Sequence, residues 1–169
     1  MSVAGLALVL LAAGGGEGAP PAVGDPAPAI EMVTPDGQVT RADFSGEIVV
    51  VDFFATWCAP CHRALRDLIA IREALGPRLR FVLIDAGEPP DTVREFLDRN
   101  PLPGGTQVTI DPTDKIMRRW GARTLPTTFL VDRTGVVRHI NRGWSAGYQA
   151  RLLAWLRAML GDQPARPRR

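Results

Sequence analysis

The chain has 169 residues, of which 46% are hydrophobic and 22% charged, and a formal net charge of +2. That length and apolar content suffice for the core of one globular domain, and so small a charge gives no electrostatic case for nucleic acid, which is excluded as an expected partner. Nearly all the positive charge is arginine, with Lys115 the sole lysine, which reads as composition bias and not as function.

In chain order, residues 3–13, VAGLALVLLAA, come first as a continuous apolar run. The run is too short to span a bilayer, which needs about 20 residues, and it matches the apolar core of a secretory signal. No Lys or Arg precedes it, and Ala13 and Ala19 are the candidate cleavage positions. No cysteine follows it until Cys58, which argues against a lipoprotein signal. The expectation is an exported protein, periplasmic or tethered to a membrane and facing away from the cytoplasm. Residues 14–28, GGGEGAPPAVGDPAP, have too little apolar surface to order themselves and are predicted to be a linker. The domain proper is expected over 29–160, followed by a solvated basic tail over 161–169.

AIEMV (29–33) and QVTRA (38–42) flank TPDG, whose Pro35 and Asp36-Gly37 predict a hairpin. EIVVVDFFA (47–55) is rich in β-branched residues and nearly unbroken in its apolar character, the pattern of a strand covered on both faces. HRALRDLIAIREAL spaces Leu65, Leu68, Ile69, Ile71 and Leu75 as one side of a helix, stopped by Gly76-Pro77. RLRFVLIDA (78–86) is a second buried strand. Residues 89–100 form a helix with Pro near its start, QVTIDP is extended, and TDKIMRRWG is a short helix stopped by Gly121. TTFLVD and VVRHIN make a hairpin around Arg133-Thr134-Gly135, and 146–160 is a closing amphipathic helix. Strand–helix–strand units joined by right-handed crossovers give a parallel sheet covered by helices. The only two cysteines fall where the first long strand turns into a helix, the end of a sheet where sites cluster.

Cys58-Ala59-Pro60-Cys61-His62 admits four readings: a redox dithiol, a c-type haem attachment, a zinc site and a structural disulfide. A haem needs a second axial ligand, and Met117, Met159 and His139 do not fall in loops that read as a haem wall. The chain is also too rich in strand for a haem wrapper, and Pro60 suits a first helical turn. Zinc takes four ligands, and Cys58, Cys61, His62 and His139 have arbitrary spacing. A disulfide closing four residues staples poorly but suits redox chemistry. The dithiol reading is therefore preferred. A free thiol with pKa about 8.5 is only a few per cent ionised near pH 7. A helix starting at Cys58 brings its positive end to that sulfur, and a shift of roughly one and a half units, about 2 kcal/mol, would ionise about half of it. Cys58 should attack, and Cys61, one turn inside and shielded, should resolve the mixed disulfide.

VVVDFFATWCAPCHRAL, followed far downstream by TLPTTFLVDRTGVV, resembles the thioredoxin superfamily and, within it, the TlpA/ResA-like exported thiol-disulfide oxidoreductases. The likeness runs over about residues 24–160. It implies an α/β thioredoxin fold, a central mixed β-sheet covered by helices, with an extra N-terminal β-hairpin and a helical insertion over 87–112. By this resemblance Cys58 is the nucleophile, Cys61 the resolving thiol, and Trp57 a ring packed beside them. Pro126 is implied to be a cis proline facing the dithiol, and Thr124 and Leu125 a backbone edge for a substrate strand. Asp52, within the buried strand, is expected to have a raised pKa and to take the proton of Cys61, with a plain structural acid as the alternative. Glu88 matches an acid that some relatives place near the dithiol, or else is a loop acid. Some relatives carry a further acid three residues past the second cysteine, where this chain has Ala64. His62 is expected to face water or to support the thiolate.

The implied activity is reduction of disulfides in exported partner proteins, with apocytochrome c a candidate substrate and a membrane thiol donor upstream. No metal or organic cofactor is expected, and the protein is expected to be a monomer. Ala-Pro between the cysteines lacks the positive charge of a strong oxidant, which favours a reductant. The rivals are a thiol peroxidase of related fold, a haem electron carrier and a redox-dead binding module. The peroxidase class commonly has Thr three residues before the attacking Cys, where this chain has Ala55.

Overall fold

A computed structural model describes residues 19–33, 37, 39–42, 44 and 46–161. The predicted signal segment, the start of the linker, most of the TPDG turn and all but the first residue of the basic tail lie outside them.

The predicted hairpin is β1 (Ile30–Val33) and β2 (Val39–Ala42), paired antiparallel as a separate two-stranded sheet. The main sheet begins with β3 (Ile48–Phe54), every residue of which is buried. Next come α1 (Ala59–Leu75), β4 (Leu79–Asp85), α2 (Pro90–Arg99), β5 (Thr106–Ile110) and α3 (Lys115–Trp120). The chain closes with β6 (Thr127–Val131), β7 (Val137–Arg142) and α4 (Tyr148–Leu160). The strand order is β5-β4-β3-β6-β7, with β4 and β5 running parallel to β3 and with β6 antiparallel to β3 and β7 antiparallel to β6. This is the expected mixed sheet. The 87–112 insertion supplies both a helix and the edge strand β5.

The unbroken apolar run of β3 is explained by what covers it. Successive strand residues point to opposite faces. Ile48, Val50 and Phe54 pack with Leu65, Leu68 and Ile71 of α1 and with Leu152 and Leu156 of α4. Val49, Val51 and Phe53 pack on the other face with Ile30 and Met32 of the hairpin and Trp120 of α3. Each fully buried aliphatic or aromatic side chain contributes about 1.5–3 kcal/mol, so burial on both faces holds β3 firmly in place. Asp52 falls in its alternation on the α1–α4 face, the face that also holds both cysteines.

The helices start and stop near the predicted places. Gly76 ends α1, with its N–H bonded to the carbonyl of Arg72. The closing helix begins two residues later than expected, at Tyr148, because Gly147 takes a left-handed conformation at φ 83°.

The described part of the predicted linker differs from expectation. Residues 24–27 run beside the start of β7: Gly24 N–H donates to Val137 O at 2.8 Å, Val137 N–H to Asp25 O at 2.9 Å, and Ala27 N–H to Gly135 O at 2.8 Å. Pro21 is buried, and Pro20 packs against Gly121 so closely that a Cβ there would stand 2.6 Å from the Pro20 Cβ. Residues 20–27, assigned to the linker by composition, are therefore held against the domain. Backbone hydrogen bonds to a strand more than a hundred residues away offset the ordering entropy that composition alone says cannot be met.

Candidate functional site

The site is built where β3 runs out. Cys58 N–H bonds back to Ala55 O at 3.1 Å, turning the chain, and Cys58 caps α1 in an extended conformation. Its sulfur accepts the N–H of Cys61 at 3.2 Å. Pro60 occupies the first turn, where its missing N–H costs nothing. Cys58 and Cys61 are joined in a disulfide with Cα atoms 5.2 Å apart. Cys58 is 5% exposed and Cys61 1%, so both sulfurs of the disulfide are largely covered.

The disulfide opens onto a groove of about 900 Å³, lined among others by Trp57, Pro60, Met117, Arg123 and Leu125. Trp57 was expected to pack beside the site. It lines the groove together with Cys58 and is 71% exposed, because the buried stretch stops at Ala55 and the turn carries its ring outward. The Leu125–Pro126 peptide is cis. Pro126 is buried and its carbonyl accepts Gly143 N–H at 2.7 Å, Leu125 is half-buried and Thr124 exposed. The Thr124 carbonyl accepts the Thr127 hydroxyl at 2.6 Å.

Asp52 is 1% exposed. Burial pushes its carboxyl up to about 7, against the smaller opposing pull of the Thr128 hydroxyl. Thr128 Oγ1 donates to Asp52 Oδ1 at 2.6 Å and lies 2.7 Å from the Tyr148 hydroxyl, so β6 and α4 both hold this acid in place. Burial, with the charge of Asp52 nearby, pushes the Tyr148 phenol well above its ordinary value.

Glu88 is drawn into the turn. Its carboxylate accepts the Thr56 N–H at 2.5 Å and the Thr56 hydroxyl at 2.6 Å. Burial pushes Glu88 up, but the bonds from Thr56 outweigh it and leave its pKa lowered. The His62 Nε2 lies 2.6 Å from Thr56 O, and its ring stacks on Phe96 with centroids 5.3 Å apart. A carbonyl only accepts, so Nε2 carries the proton. His62 thus grips the turn and is committed neither to water nor to the sulfurs. The other residues weighed for haem lie apart: His139 stacks on Trp155 at 4.4 Å, and Met159 packs against the core.

Three participants were not anticipated. Asp85, at the end of β4, is fully buried and its Oδ1 accepts Glu88 N–H at 2.8 Å. Its signal, an acid at the end of a buried apolar strand, is close to the one that singled out Asp52 inside such a strand. Thr56 and Thr128 give no such signal, since each acquires meaning only from a partner distant in sequence.

The AhpC/TSA family matches residues 23–140. A thiol-disulfide oxidoreductase ResA of Geobacillus thermodenitrificans is 33% identical over 126 residues, covering 72% of this chain and 70% of that protein. A thiol:disulfide interchange protein HelX of Rhodobacter capsulatus is 32% identical over 111 residues, 65% of this chain and 61% of its own length. Among solved structures, a thioredoxin family thiol:disulfide interchange protein of Chlorobium tepidum superposes with a TM-score of 0.69 at 26% identity, covering 83% of this chain and 99% of its own.

Proposed function

This chain belongs to the AhpC/TSA family and, within it, to the thiol-disulfide oxidoreductases, and from that premise we propose that it reduces disulfides in exported partner proteins by cycling Cys58 and Cys61. The observation that carries this reading is a four-residue disulfide at the start of α1, opening onto a groove. In the reduced protein the Cys58 thiolate attacks a substrate disulfide, one substrate sulfur leaves as thiolate, and a mixed disulfide forms. Cys61 then attacks Cys58 Sγ, gives up its proton to Asp52, and releases the second substrate thiol. Two electrons pass to the substrate, and the Cys58–Cys61 disulfide remains for an upstream thiol donor to reduce. Leu125, which precedes the cis Pro126, and Trp57 line the groove that a substrate chain would follow, with Thr124 next to Leu125 in sequence.

Apocytochrome c is a candidate substrate, membrane-bound thiol chemistry the candidate electron source, and the space outside the cytoplasm the place where both would be met. Among the described residues no helix is long and apolar enough to cross a membrane. The peroxidase reading fares worse because Ala55 offers no hydroxyl and the Thr56 hydroxyl is committed to Glu88.

The test is an equilibrium titration of the dithiol against glutathione. A reductase should show a potential well below about −150 mV, and tenfold in equilibrium constant corresponds to about 30 mV. A potential at or above about −150 mV would overturn the direction of electron flow proposed here.

A further inference from the structure

Two buried hydroxyls lead to Asp52, one behind the other. Thr128 Oγ1 stands 2.6 Å from Asp52 Oδ1 and 2.7 Å from the Tyr148 hydroxyl. Asp52 and Tyr148 are 1% exposed and Thr128 0%, so the three side chains answer to one another. Each hydroxyl has one proton to give, and an ionised carboxylate only accepts. When Asp52 is ionised, Thr128 therefore donates to Oδ1, and the Tyr148 hydroxyl donates to Thr128. The two contacts use both hydroxyl protons, and none is left over. Among the described residues the Tyr148 hydroxyl has no other hydrogen bond, so its proton stays aimed at Thr128. Both hydroxyl dipoles then point at the carboxylate, and such bonds strengthen when the acceptor is charged. A proton arriving at Asp52 finds Oδ1 already bonded and goes to Oδ2.

We propose that Tyr148 is a positioning residue for the resolving step: acting through Thr128, it aligns two hydroxyls on Asp52 Oδ1, favours the carboxylate and leaves Oδ2 to take the proton of Cys61. This rests on the reading of Asp52 as the acceptor of that proton. Asp52 is in β3, Thr128 opposite it in β6, and Tyr148 at the start of α4, so the chain of hydroxyls joins three elements. The other ionisable groups nearby have partners of their own. Asp67 of α1 accepts Trp144 Nε1–H at 2.8 Å, and Arg151 of α4 donates to Asn141 Oδ1 and to Ser145 Oγ, each at 3.2 Å. His62 of α1 is bonded to Thr56 O, and His139 of β7 stacks on Trp155. Asp85, at the end of the neighbouring strand β4, accepts Glu88 N–H.

The test titrates the Asp52 side-chain carboxyl by carbon NMR in the full chain, first in its oxidised form, in which no thiol titrates. The midpoint should rise in the order wild type, Tyr148→Phe, Thr128→Val. Y148F keeps the ring and removes the outer donor. T128V keeps the shape and removes the inner donor, so its midpoint should rise by about one unit and that of Y148F by about half as much, because a hydrogen bond to the charged form favours it. Thr128→Ser keeps the hydroxyl and should stay with wild type. In the reduced protein, release of substrate from the mixed disulfide at the wild-type midpoint should slow about fivefold in T128V and about twofold in Y148F. The ratio to wild type should return towards one at higher pH. A Y148F midpoint at or below that of wild type, or a T128S midpoint that follows T128V, overturns the proposal. Release ratios independent of pH overturn it as well. The carboxyl titration needs no turnover, so its failure leaves the dithiol reading standing, and a dithiol that does not cycle leaves the titration standing.

Discussion

Cys61→Ser is expected to halt the protein at the mixed disulfide, whereas Cys58→Ser is expected to prevent the mixed disulfide from forming. The asymmetry follows from where each sulfur sits. Cys58 caps α1, with the Cys61 N–H aimed at its sulfur, so negative charge developing there meets backbone donors and the positive end of the helix. Cys61 lies one turn inside, almost wholly covered, and can reach only what is already bonded to Cys58. With a disulfide-bonded peptide as substrate, the C61S protein should accumulate a covalent adduct that dithiothreitol releases. Turnover should fall by more than about a hundredfold in both variants. Mass mapping of the adduct checks the assignment. An adduct in C58S and none in C61S would reverse the roles of the two sulfurs.

Asp52→Asn should slow the release of substrate from that adduct by about a hundredfold, the lower range for loss of a positioned general base. Formation of the adduct should change much less. The same substitution tests the burial of this acid. In the folded protein Asp52 keeps its proton up to about 7, whereas its ordinary value is 3.8. Between those values the native state holds a proton that the unfolded chain has released, so stability falls as pH rises across the window, and the full cost stands above about 7. The difference corresponds to on the order of 4 kcal/mol. D52N, which has no proton to lose, should therefore unfold at higher urea than wild type near pH 8, and the gap should close towards pH 4. A variant with faster release, or a gap that widens in acid, would contradict both the role and the burial.

The parts of the site that are local in sequence could be read directly from it. The β-branched run of β3, the Pro60 turn and the periodic apolar residues of α1 each carry their own signal, and together they place both cysteines at a strand–helix junction. The parts made by distant partners could not. Thr128 meets Asp52 across 76 residues and Glu88 meets Thr56 across 32, and nothing in either threonine's neighbourhood announces it. Composition misled in one place. Residues 20–28 have the Gly/Pro content of a flexible tether, yet they pair with β7 and pack Pro20 on Gly121. The exposure of the Trp57 ring, placed beside the dithiol by resemblance, comes from the turn that carries it out along the groove it lines with Cys58.

The account depends above all on Cys58 being the acidic, attacking sulfur, and site-resolved alkylation of the reduced protein as a function of pH measures this directly. Cys58 should take the label first, with its rate rising to half of its plateau well below about 8.5, the ordinary value for a free thiol. Labelling of Cys61 first, or a half-point for Cys58 at the free-thiol value, would contradict it.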